Sequence, residues 1–392
     1  MNPKLKSNYC PYVEKGFRAH IGFYKGKILS TFKPCCNMHR DLLDPEQQDF
    51  LEIDENNIEE YLHNRHRKYF QNFFKTHDTL HKACQSCELT EKSGNISERQ
   101  KSIQDDEDYY DFYKLNFTLS NICNLACPFC SADASSLIDK TAQKYDDNER
   151  PFSWKPQLQD YNLTTDKASK LLSELLKKNK VKYLKIVGGE PFLKGNWETI
   201  QFLLDGGYLK DTTLQIVTNG TCVSKEKLRL LENAKAVDLN ISMDSIYKNY
   251  DFIRWPSSWN NMTKKIDNLS NDTADNTFVS YSSLLNIFNF ELVPQIRDHM
   301  LSRGLDVNFE PDLKPSNSPL HIRNLPTAII EEVLTQLSKN SASYIKEYCY
   351  KSNLCTKDKI IHDVKFFLSQ RNMPLNEVVG EKTYNWLKNL GI

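Results

Sequence analysis

The chain has 392 residues, 39% of them hydrophobic, which is enough for a sizeable core and about two to three domains. Lys and Arg number 51, as do Asp and Glu, so no net charge attracts nucleic acid or an anionic membrane. The chain contains no run of about 18 apolar residues and no apolar signal core, so we expect a cytoplasmic protein without a membrane span. Eleven cysteines, most of them at metal-type spacings, favour metal binding over disulfides in a reducing compartment.

Residues 1–108 contain a first set of cysteines. Alternating apolar residues over 20–32 predict a short hairpin, with Cys10 and Cys35 near its two ends. A helical pattern over 56–77 then leads to Cys84-Gln-Ser-Cys87, a loop that offers two thiolates to one metal or cluster. Cys10 together with Cys35 or Cys36 would complete a set of four. A four-cysteine zinc site fits this spacing as well as an iron–sulfur cluster does.

Basic and aromatic residues are interleaved within the helical pattern, over 63–75. A nucleic-acid-binding face can have this composition. We favour an amphipathic helix with Phe70, Phe73 and Phe74 packed inward and its basic residues in solvent. Farther along, Gln104–Asp108 is acidic and free of apolar residues, which predicts a linker at the end of the first domain.

A second set of cysteines, Cys123-Asn-Leu-Ala-Cys127-Pro-Phe-Cys130, follows an apolar run. Three thiols at this spacing can hold three irons of a four-iron, four-sulfur cluster, whereas fully ligated clusters use four cysteines. One iron would therefore stay open to a ligand that is not protein. A zinc knuckle and unrelated thiols are the alternatives.

Short apolar runs alternate with helical patterns over residues 109–320, which predicts βα units and an α/β fold with a parallel sheet. The strand candidates are 113–119, 182–187, 213–218, 237–243, 277–283 and 306–309. Parallel barrels place their chemistry at the C-terminal ends of the strands. Three polar motifs lie at such ends: Gly188-Gly-Glu190, Thr218-Asn-Gly220 and Ser242-Met-Asp244. Each of them alone is also common in ordinary turns and helix caps.

Taken together, the three-cysteine motif and these strand-end motifs resemble the radical S-adenosylmethionine (SAM) enzymes. In that family the open iron chelates the amino and carboxylate groups of SAM. One electron then cleaves SAM to methionine and a 5′-deoxyadenosyl radical, which abstracts hydrogen from a substrate. The resemblance implies a partial (β/α)6 TIM barrel, a 4Fe–4S cluster on Cys123, Cys127 and Cys130, and an external one-electron reductant of the flavodoxin or ferredoxin type.

The resemblance also implies which residues contact SAM. Glu190 corresponds to the carboxylate that binds the amino group of SAM, Phe129 to an aromatic residue against adenine, and Arg254 to an arginine that pairs with the carboxylate. Hydroxyl and carboxylate groups at the third and fourth strand ends suit the ribose hydroxyls. The full implied set is Phe129, Gly188, Gly189, Glu190, Thr218, Asn219, Ser242, Asp244 and Arg254.

The N-terminal cysteines resemble the twitch or SPASM module of radical SAM enzymes, a small α+β domain that holds an auxiliary 4Fe–4S cluster. The implied ligands are Cys10, Cys35, Cys84 and Cys87, with Cys36 as the alternative to Cys35. A Ser-x-Arg at Ser97 and Arg99 also matches the twitch-type pattern. In the commoner SPASM enzymes this module follows the barrel, whereas here it precedes the barrel.

Residues 321–392 have the pattern of a helical C-terminal extension, beginning near Leu325-Pro-Thr. The whole sequence therefore predicts a radical SAM enzyme, with a peptide or protein as the first choice of substrate and a small molecule or nucleoside as the second. A non-catalytic iron–sulfur or zinc protein is the alternative from another class. The motifs at Gly188 and Thr218 argue against it, because an electron carrier needs no SAM pocket. We expect no membrane partner and no nucleic-acid partner.

Overall fold

The fold is known from a computed structural model, which describes most of the chain. The described residues are 8–24, 27–35, 37–38, 42–45, 51–52, 57–118, 120–154, 164–311, 313, 317–349 and 355–392. Cys36, the alternative ligand in the first cysteine set, lies outside them.

A nine-stranded sheet organises the described part of the chain, in the order β3-β2-β1-β4-β5-β6-β7-β8-β9. Its strands are β1 (Gly16–Tyr24), β2 (Lys27–Lys33), β3 (Leu51–Glu52), β4 (Phe112–Thr118), β5 (Val181–Val187), β6 (Thr213–Thr218), β7 (Ala236–Ser242), β8 (Thr277–Leu284) and β9 (Val307–Glu310). Strands β4 to β9 pair in parallel, each with the next. All six predicted strands are confirmed, and this α/β sheet is consistent with a partial (β/α)6 barrel.

The helices are α1 (Pro11–Lys15), α2 (Ile58–Leu62), α3 (Arg65–Thr76), α4 (Gln85–Lys92), α5 (Glu98–Gln104), α6 (Ser136–Ala142), α7 (Thr165–Lys178), α8 (Asn196–Asp205), α9 (Lys225–Leu230), α10 (Tyr247–Ile253), α11 (Trp259–Asp272), α12 (Val293–Leu301), α13 (Thr327–Thr335), α14 (Lys339–Cys349), α15 (Lys357–Arg371), α16 (Leu375–Val378) and α17 (Glu381–Leu390). None of the helices in the described ranges is both long and apolar enough to cross a membrane.

The parallel strands have one apolar and one polar face, because successive side chains of a strand point to opposite sides. Leu214 and Ile216 of β6 are fully buried and belong to the main core, which also contains residues of α7 and α8. On the opposite face, Lys185, Gln215 and Asp238 lie side by side in register on β5, β6 and β7 and are half-buried. One face of the sheet is therefore the core, and the other is available for polar contacts.

The N-terminal hairpin extends this sheet. Strand β1 pairs with β2 in an antiparallel register and with β4 in a parallel register, from Gly16–Lys114 to His20–Thr118. The predicted hairpin is confirmed. Its position means that the hydrogen-bonded sheet continues across the predicted domain boundary at residue 108.

The acidic segment 104–108 is firmly attached, so the prediction of a plain linker is wrong. The ammonium group of Lys182 on β5 donates to Asp105 at 2.6 Å and to Glu107 at 2.8 Å. The Tyr9 hydroxyl donates to Asp106 at 2.8 Å. The carboxylates that suggested a solvated linker instead bind a buried lysine and a buried tyrosine.

Two helices replace the single helical pattern expected over 56–77. The break lies at Asn64, whose side-chain oxygen accepts from the backbone N–H groups of the first turn of α3 and so caps that helix. Phe70 and Phe74 are buried, as the amphipathic interpretation requires. The expectation that the basic residues are solvated is wrong for His66 and Arg67, which are also buried.

Helices α13 to α17 form the C-terminal extension, and α13 begins at Thr327 as the sequence predicts. Their buried side chains share a second core with Ala126 and Ala132, which flank the second and third cysteines of the 123–130 loop. The Tyr348 hydroxyl of α14 also contacts the backbone carbonyl of Ser86, between Cys84 and Cys87, at 3.5 Å. The extension therefore contacts both cysteine regions.

Candidate active site

The loop with Cys123, Cys127 and Cys130 leaves the C-terminal end of β4, between Ser120 and Ser135. The Ser120 hydroxyl donates to the Asn196 side chain at 2.5 Å, and the Ser135 hydroxyl donates to the Leu125 carbonyl at 2.5 Å. These bonds satisfy polar groups that the loop would otherwise bury without partners. The loop is therefore held in one conformation at the C-terminal end of the sheet.

The three thiols are largely withdrawn from solvent and close enough to influence one another. Burial raises the pKa of Cys123 to about 12, and the negative charge of a neighbouring Cys127 thiolate adds to that rise. Burial likewise raises the pKa of Cys130, with further contributions from Cys127 and Cys123. Such thiols become thiolates when a cationic metal centre stabilises the charge. Three soft sulfur donors suit the irons of an iron–sulfur cluster.

Within the described ranges, no three His, Cys, Asp or Glu side chains converge closely enough to hold a single metal ion.

Gly188 and Gly189 bring the end of β5 against the cysteine loop. Both have positive φ, +86° and +62°, which favours glycine. A Cβ atom on Gly188 would lie 2.1 Å from the Thr118 methyl group, and one on Gly189 would lie 2.4 Å from the Ile122 carbonyl. The adjacent Glu190 N–H donates to that same carbonyl at 2.7 Å. A larger residue at Gly189 would displace the backbone of the cysteine loop, and one at Gly188 would displace the Thr118 side chain of β4.

Glu190 joins the ends of β5 and β6. Its buried carboxylate accepts from the Thr218 hydroxyl at 2.6 Å, from the Asn219 N–H at 2.7 Å and from the Phe192 N–H at 3.0 Å. Burial raises the pKa of Glu190, and these three donors oppose the rise. A carboxylate offers about four lone-pair sites. The protein's own donors thus occupy most of the carboxylate that the sequence assigned to an external ammonium.

Asn219 connects the end of β6 to the cysteine loop. Its side-chain amide donates to Asn124 at 3.0 Å and lies 3.9 Å from the Cys123 sulfur. The Asn124 amide in turn donates to the Thr221 hydroxyl at 2.8 Å. Asn124 is not among the residues predicted from the sequence, because a residue between two cysteines of the motif carries no signal of its own.

Asp244 and Arg254 form a buried ion pair beside Cys127. Asp244 also accepts from the Leu284 N–H at 2.8 Å. The Arg254 guanidinium lies 3.8 Å from the Cys127 sulfur and 5.9 Å from the centre of the Phe129 ring. Two residues expected to contact different parts of SAM therefore pair with each other.

The remaining predicted site residue, Ser242, is half-buried at the last position of β7, opposite Ser282 on β8. Ser242 and Asp244 thus lie at the same strand end, and of the two it is Asp244 that pairs with Arg254.

In the N-terminal region, Cys10, Cys35, Cys84 and Cys87 line a common pocket. The space between them is about 480 Å³ when its opening to solvent is included. Burial raises the pKa of Cys10 to about 12, and the Cys87 charge adds to it. Burial also raises the pKa of Cys84, with contributions from the other three thiols. Four thiols distant in sequence are thus brought together.

Arg99 and Ser97 hold together the elements around this pocket. The sequence alone did not reveal this role. Two nitrogens of Arg99 donate to the Glu91 carboxylate at 3.0 and 2.6 Å, and a third donates to the Tyr9 carbonyl at 2.9 Å. Ser97 caps α5 and donates to Glu91 at 2.6 Å. This arrangement fixes α4 and α5 against the residue that precedes Cys10.

Residues 117–285 match the family model described as "Radical SAM superfamily". This match assigns a radical SAM domain to that stretch, which is less than half of the 392-residue chain. The stretch includes the cysteine loop and the strand-end motifs at Gly188, Thr218 and Ser242, and the match supports an enzyme. The family implies SAM and a 4Fe–4S cluster as cofactors, and the three thiols of the loop are a suitable donor set for that cluster.

Several solved structures are similar to the chain, at low identity. A histidine-tagged form of anSMEcpe "with bound AdoMet" is 12% identical over 57% of this chain and 57% of that chain, with a TM-score of 0.41. "Native anSMEcpe with bound AdoMet" is 14% identical over 57% and 59%, also at 0.41. "Native anSMEcpe with bound AdoMet and Kp18Cys peptide" is 11% identical over 66% and 60%, at 0.38. The alignments span less than two thirds of those solved chains. No curated protein matches the chain.

Proposed function

We propose that the protein is a radical SAM enzyme in which Cys123, Cys127 and Cys130 hold the catalytic cluster and the residues at the ends of β5, β6 and β7 hold SAM. The observation that supports this most strongly is the direct connection of the cysteine loop to Gly189, Glu190 and Asn219. With SAM and the cluster bound, the site would support one-electron reduction of SAM, the electron coming from the external reductant, and the resulting carbon radical would abstract hydrogen from the substrate.

The protein's own residues position and shield this chemistry. Gly188 and Gly189 let the strand end approach the loop, and Glu190 fixes the Thr218–Gly220 turn with its remaining acceptor site directed to the SAM ammonium. Arg254 balances negative charge next to Cys127, with Asp244 as its partner. Phe129 offers an aromatic face to adenine, and Ser242 a hydroxyl to the ribose.

The N-terminal pocket holds a second, auxiliary 4Fe–4S cluster in this proposal, on Cys10, Cys35, Cys84 and Cys87. Residues 1–108 would then be a twitch-like module, 109–320 the barrel and 321–392 a helical extension. Four cysteine ligands leave no iron open, so this cluster would transfer electrons or stabilise the fold. An external flavodoxin- or ferredoxin-type protein would supply the electrons.

The substrate would lie against the polar face of the sheet. There the Gln215 amide donates to Asp238 at 2.7 Å, and the Asn240 amide donates to Ser280 at 2.9 Å. Half-buried amides, hydroxyls and carboxylates can form hydrogen bonds to a peptide backbone. Peptide or protein modification is our first choice, because radical SAM enzymes with auxiliary modules often act on peptides. The same polar face also fits a small molecule or nucleoside, which is the second candidate.

The test is release of 5′-deoxyadenosine from anaerobically reconstituted protein with dithionite and SAM, measured by liquid chromatography and mass spectrometry. We expect release by the wild type and none by a Cys123→Ala/Cys127→Ala/Cys130→Ala variant. Cys349→Ala, which removes a buried thiol on α14, is the matched control and should keep the wild-type rate. Equal release by the triple variant would contradict the catalytic role and favour a non-catalytic metal protein.

A further inference from the structure

A buried arginine from the C-terminal extension contacts the cysteine loop. Arg371 is the last residue of α15 and is 7% exposed. One of its terminal nitrogens donates to the Ala126 carbonyl at 2.7 Å. Ala126 directly precedes Cys127, so the guanidinium is anchored one residue from a predicted cluster ligand.

The surroundings of Arg371 are apolar. Its guanidinium lies 4.6 Å from the centre of the Phe252 ring and 4.9 Å from that of Phe367. Its other two guanidinium nitrogens have no hydrogen-bond partner among the described residues, and no described carboxylate pairs with it. Burial lowers the pKa of Arg371 to about 9, and the charge of Cys127 is what opposes that shift.

A buried cation is costly unless an anion compensates it. Arg254, the other guanidinium near Cys127, already has Asp244 as a partner. Arg371 has no such partner in the described part of the chain, and the group whose negative charge acts on it is Cys127 once that thiol is deprotonated. A cluster bound to three thiolates would add negative charge at this position, and its reduced form carries one more negative charge than its oxidised form.

We propose that Arg371 is a positioning residue that supplies the counter-charge for the cluster on Cys123, Cys127 and Cys130 and so makes that cluster easier to reduce. This inference rests on the proposed function. It assigns the C-terminal extension an electrostatic role in the active site in addition to its packing role.

The charge can be separated from the packing by substitution. In Arg371→Met a flexible apolar side chain still fills the space between Phe252 and Phe367, and replacing a buried charge with an apolar group of similar size often leaves stability unchanged. Arg371→Lys keeps the positive charge. Arg323→Met removes another buried arginine of the C-terminal region and serves as the matched control.

The experiment is a redox titration of the reconstituted full-length protein, followed by electron paramagnetic resonance. The signal that changes when SAM is added identifies the cluster of the 123–130 loop. We expect its midpoint potential to be more negative in Arg371→Met than in the wild type, at equal iron content. Arg371→Lys should stay near the wild-type value, and Arg323→Met should match it.

An unchanged midpoint potential in Arg371→Met overturns this inference but leaves the proposed function standing. That result is the one expected if Arg371 is needed only for packing. An equal shift in Arg371→Met and Arg371→Lys also overturns it. If Arg371→Met loses the cluster while Arg371→Lys keeps it, the requirement for charge is supported. If the wild type holds no SAM-responsive cluster, the proposed function fails as well.

Discussion

The two cysteine regions differ in what surrounds their thiols. Around the 123–130 loop lie polar and charged groups from other strand ends, among them Asn219 and the Asp244–Arg254 pair. The N-terminal pocket is lined mainly by its four thiols and by apolar side chains, such as Val13 and Phe74. Polar groups beside metal-binding thiols are useful where a second ligand must be recognised. This comparison supports our proposal that the first region is catalytic and that the second holds a closed cluster.

The two cysteine regions also differ in the size of the hydrophobic core that packs against them. The 123–130 loop is attached to a parallel sheet and packs on the large core of the C-terminal helices. Three of the N-terminal cysteines, Cys10, Cys35 and Cys84, pack against a small cluster of six buried side chains: Val13, Met38, Leu43, Phe70, Phe74 and Ala83. A small core gains more from a bound metal centre, because metal binding then contributes directly to folding.

The largest expected effect comes from removing the closed cluster. Cys84→Ala/Cys87→Ala should lower the iron content from about eight to about four per chain, since each cluster holds four irons. Stability should fall, whereas cleavage of SAM without substrate should persist and substrate turnover should drop much further. Iron quantitation, thermal melting and 5′-deoxyadenosine assays measure these effects. Equal loss of both activities in a folded variant would show that the two regions are not functionally separable.

The close contact between Gly188 at the end of β5 and Thr118 of β4 predicts the next effect. Gly188→Ala should destabilise the protein by about 1–3 kcal/mol more than Gly304→Ala, because the new methyl group overlaps the Thr118 side chain. Gly304 has a similar positive φ of +73° but nothing within 4 Å, so its substitution should cost only the backbone term of about 1–2 kcal/mol. Chemical denaturation measures both variants. Equal destabilisation of the Gly188→Ala and Gly304→Ala variants would mean that close packing at Gly188 is not required.

The third effect concerns SAM affinity at Glu190. Loss of a charge-assisted hydrogen bond costs about 1.5–3 kcal/mol, so Glu190→Gln should weaken SAM binding by roughly 10- to 150-fold. Cluster content should stay unchanged. Glu198→Gln, an exposed position on α8, is the control. Calorimetric titration with unaltered affinity in Glu190→Gln would remove this carboxylate from the SAM site.

The sequence predicted the parallel strands well, because buried runs and strand-end glycines are local patterns. It also grouped the four N-terminal cysteines that the structure brings into one pocket. It did not predict the pairing of Asp244 with Arg254, because either partner alone resembles a ligand contact. Arg371 carried no signal, since its contact with Ala126 joins residues 245 positions apart. The contacts of the acidic run 104–108 were not predicted for the same reason, because its partner Lys182 lies on a strand that is distant in sequence.

The central claim is that one cysteine region leaves an iron open to SAM and the other does not. Mössbauer spectroscopy of protein reconstituted with ⁵⁷Fe, with and without SAM, tests it most directly. The account predicts about eight irons in two four-iron clusters, one iron of which changes its signal when SAM is added. Cys84→Ala/Cys87→Ala should retain that response with about four irons. A spectrum in which no iron responds to SAM, or in which the response disappears with Cys84 and Cys87, would contradict the account.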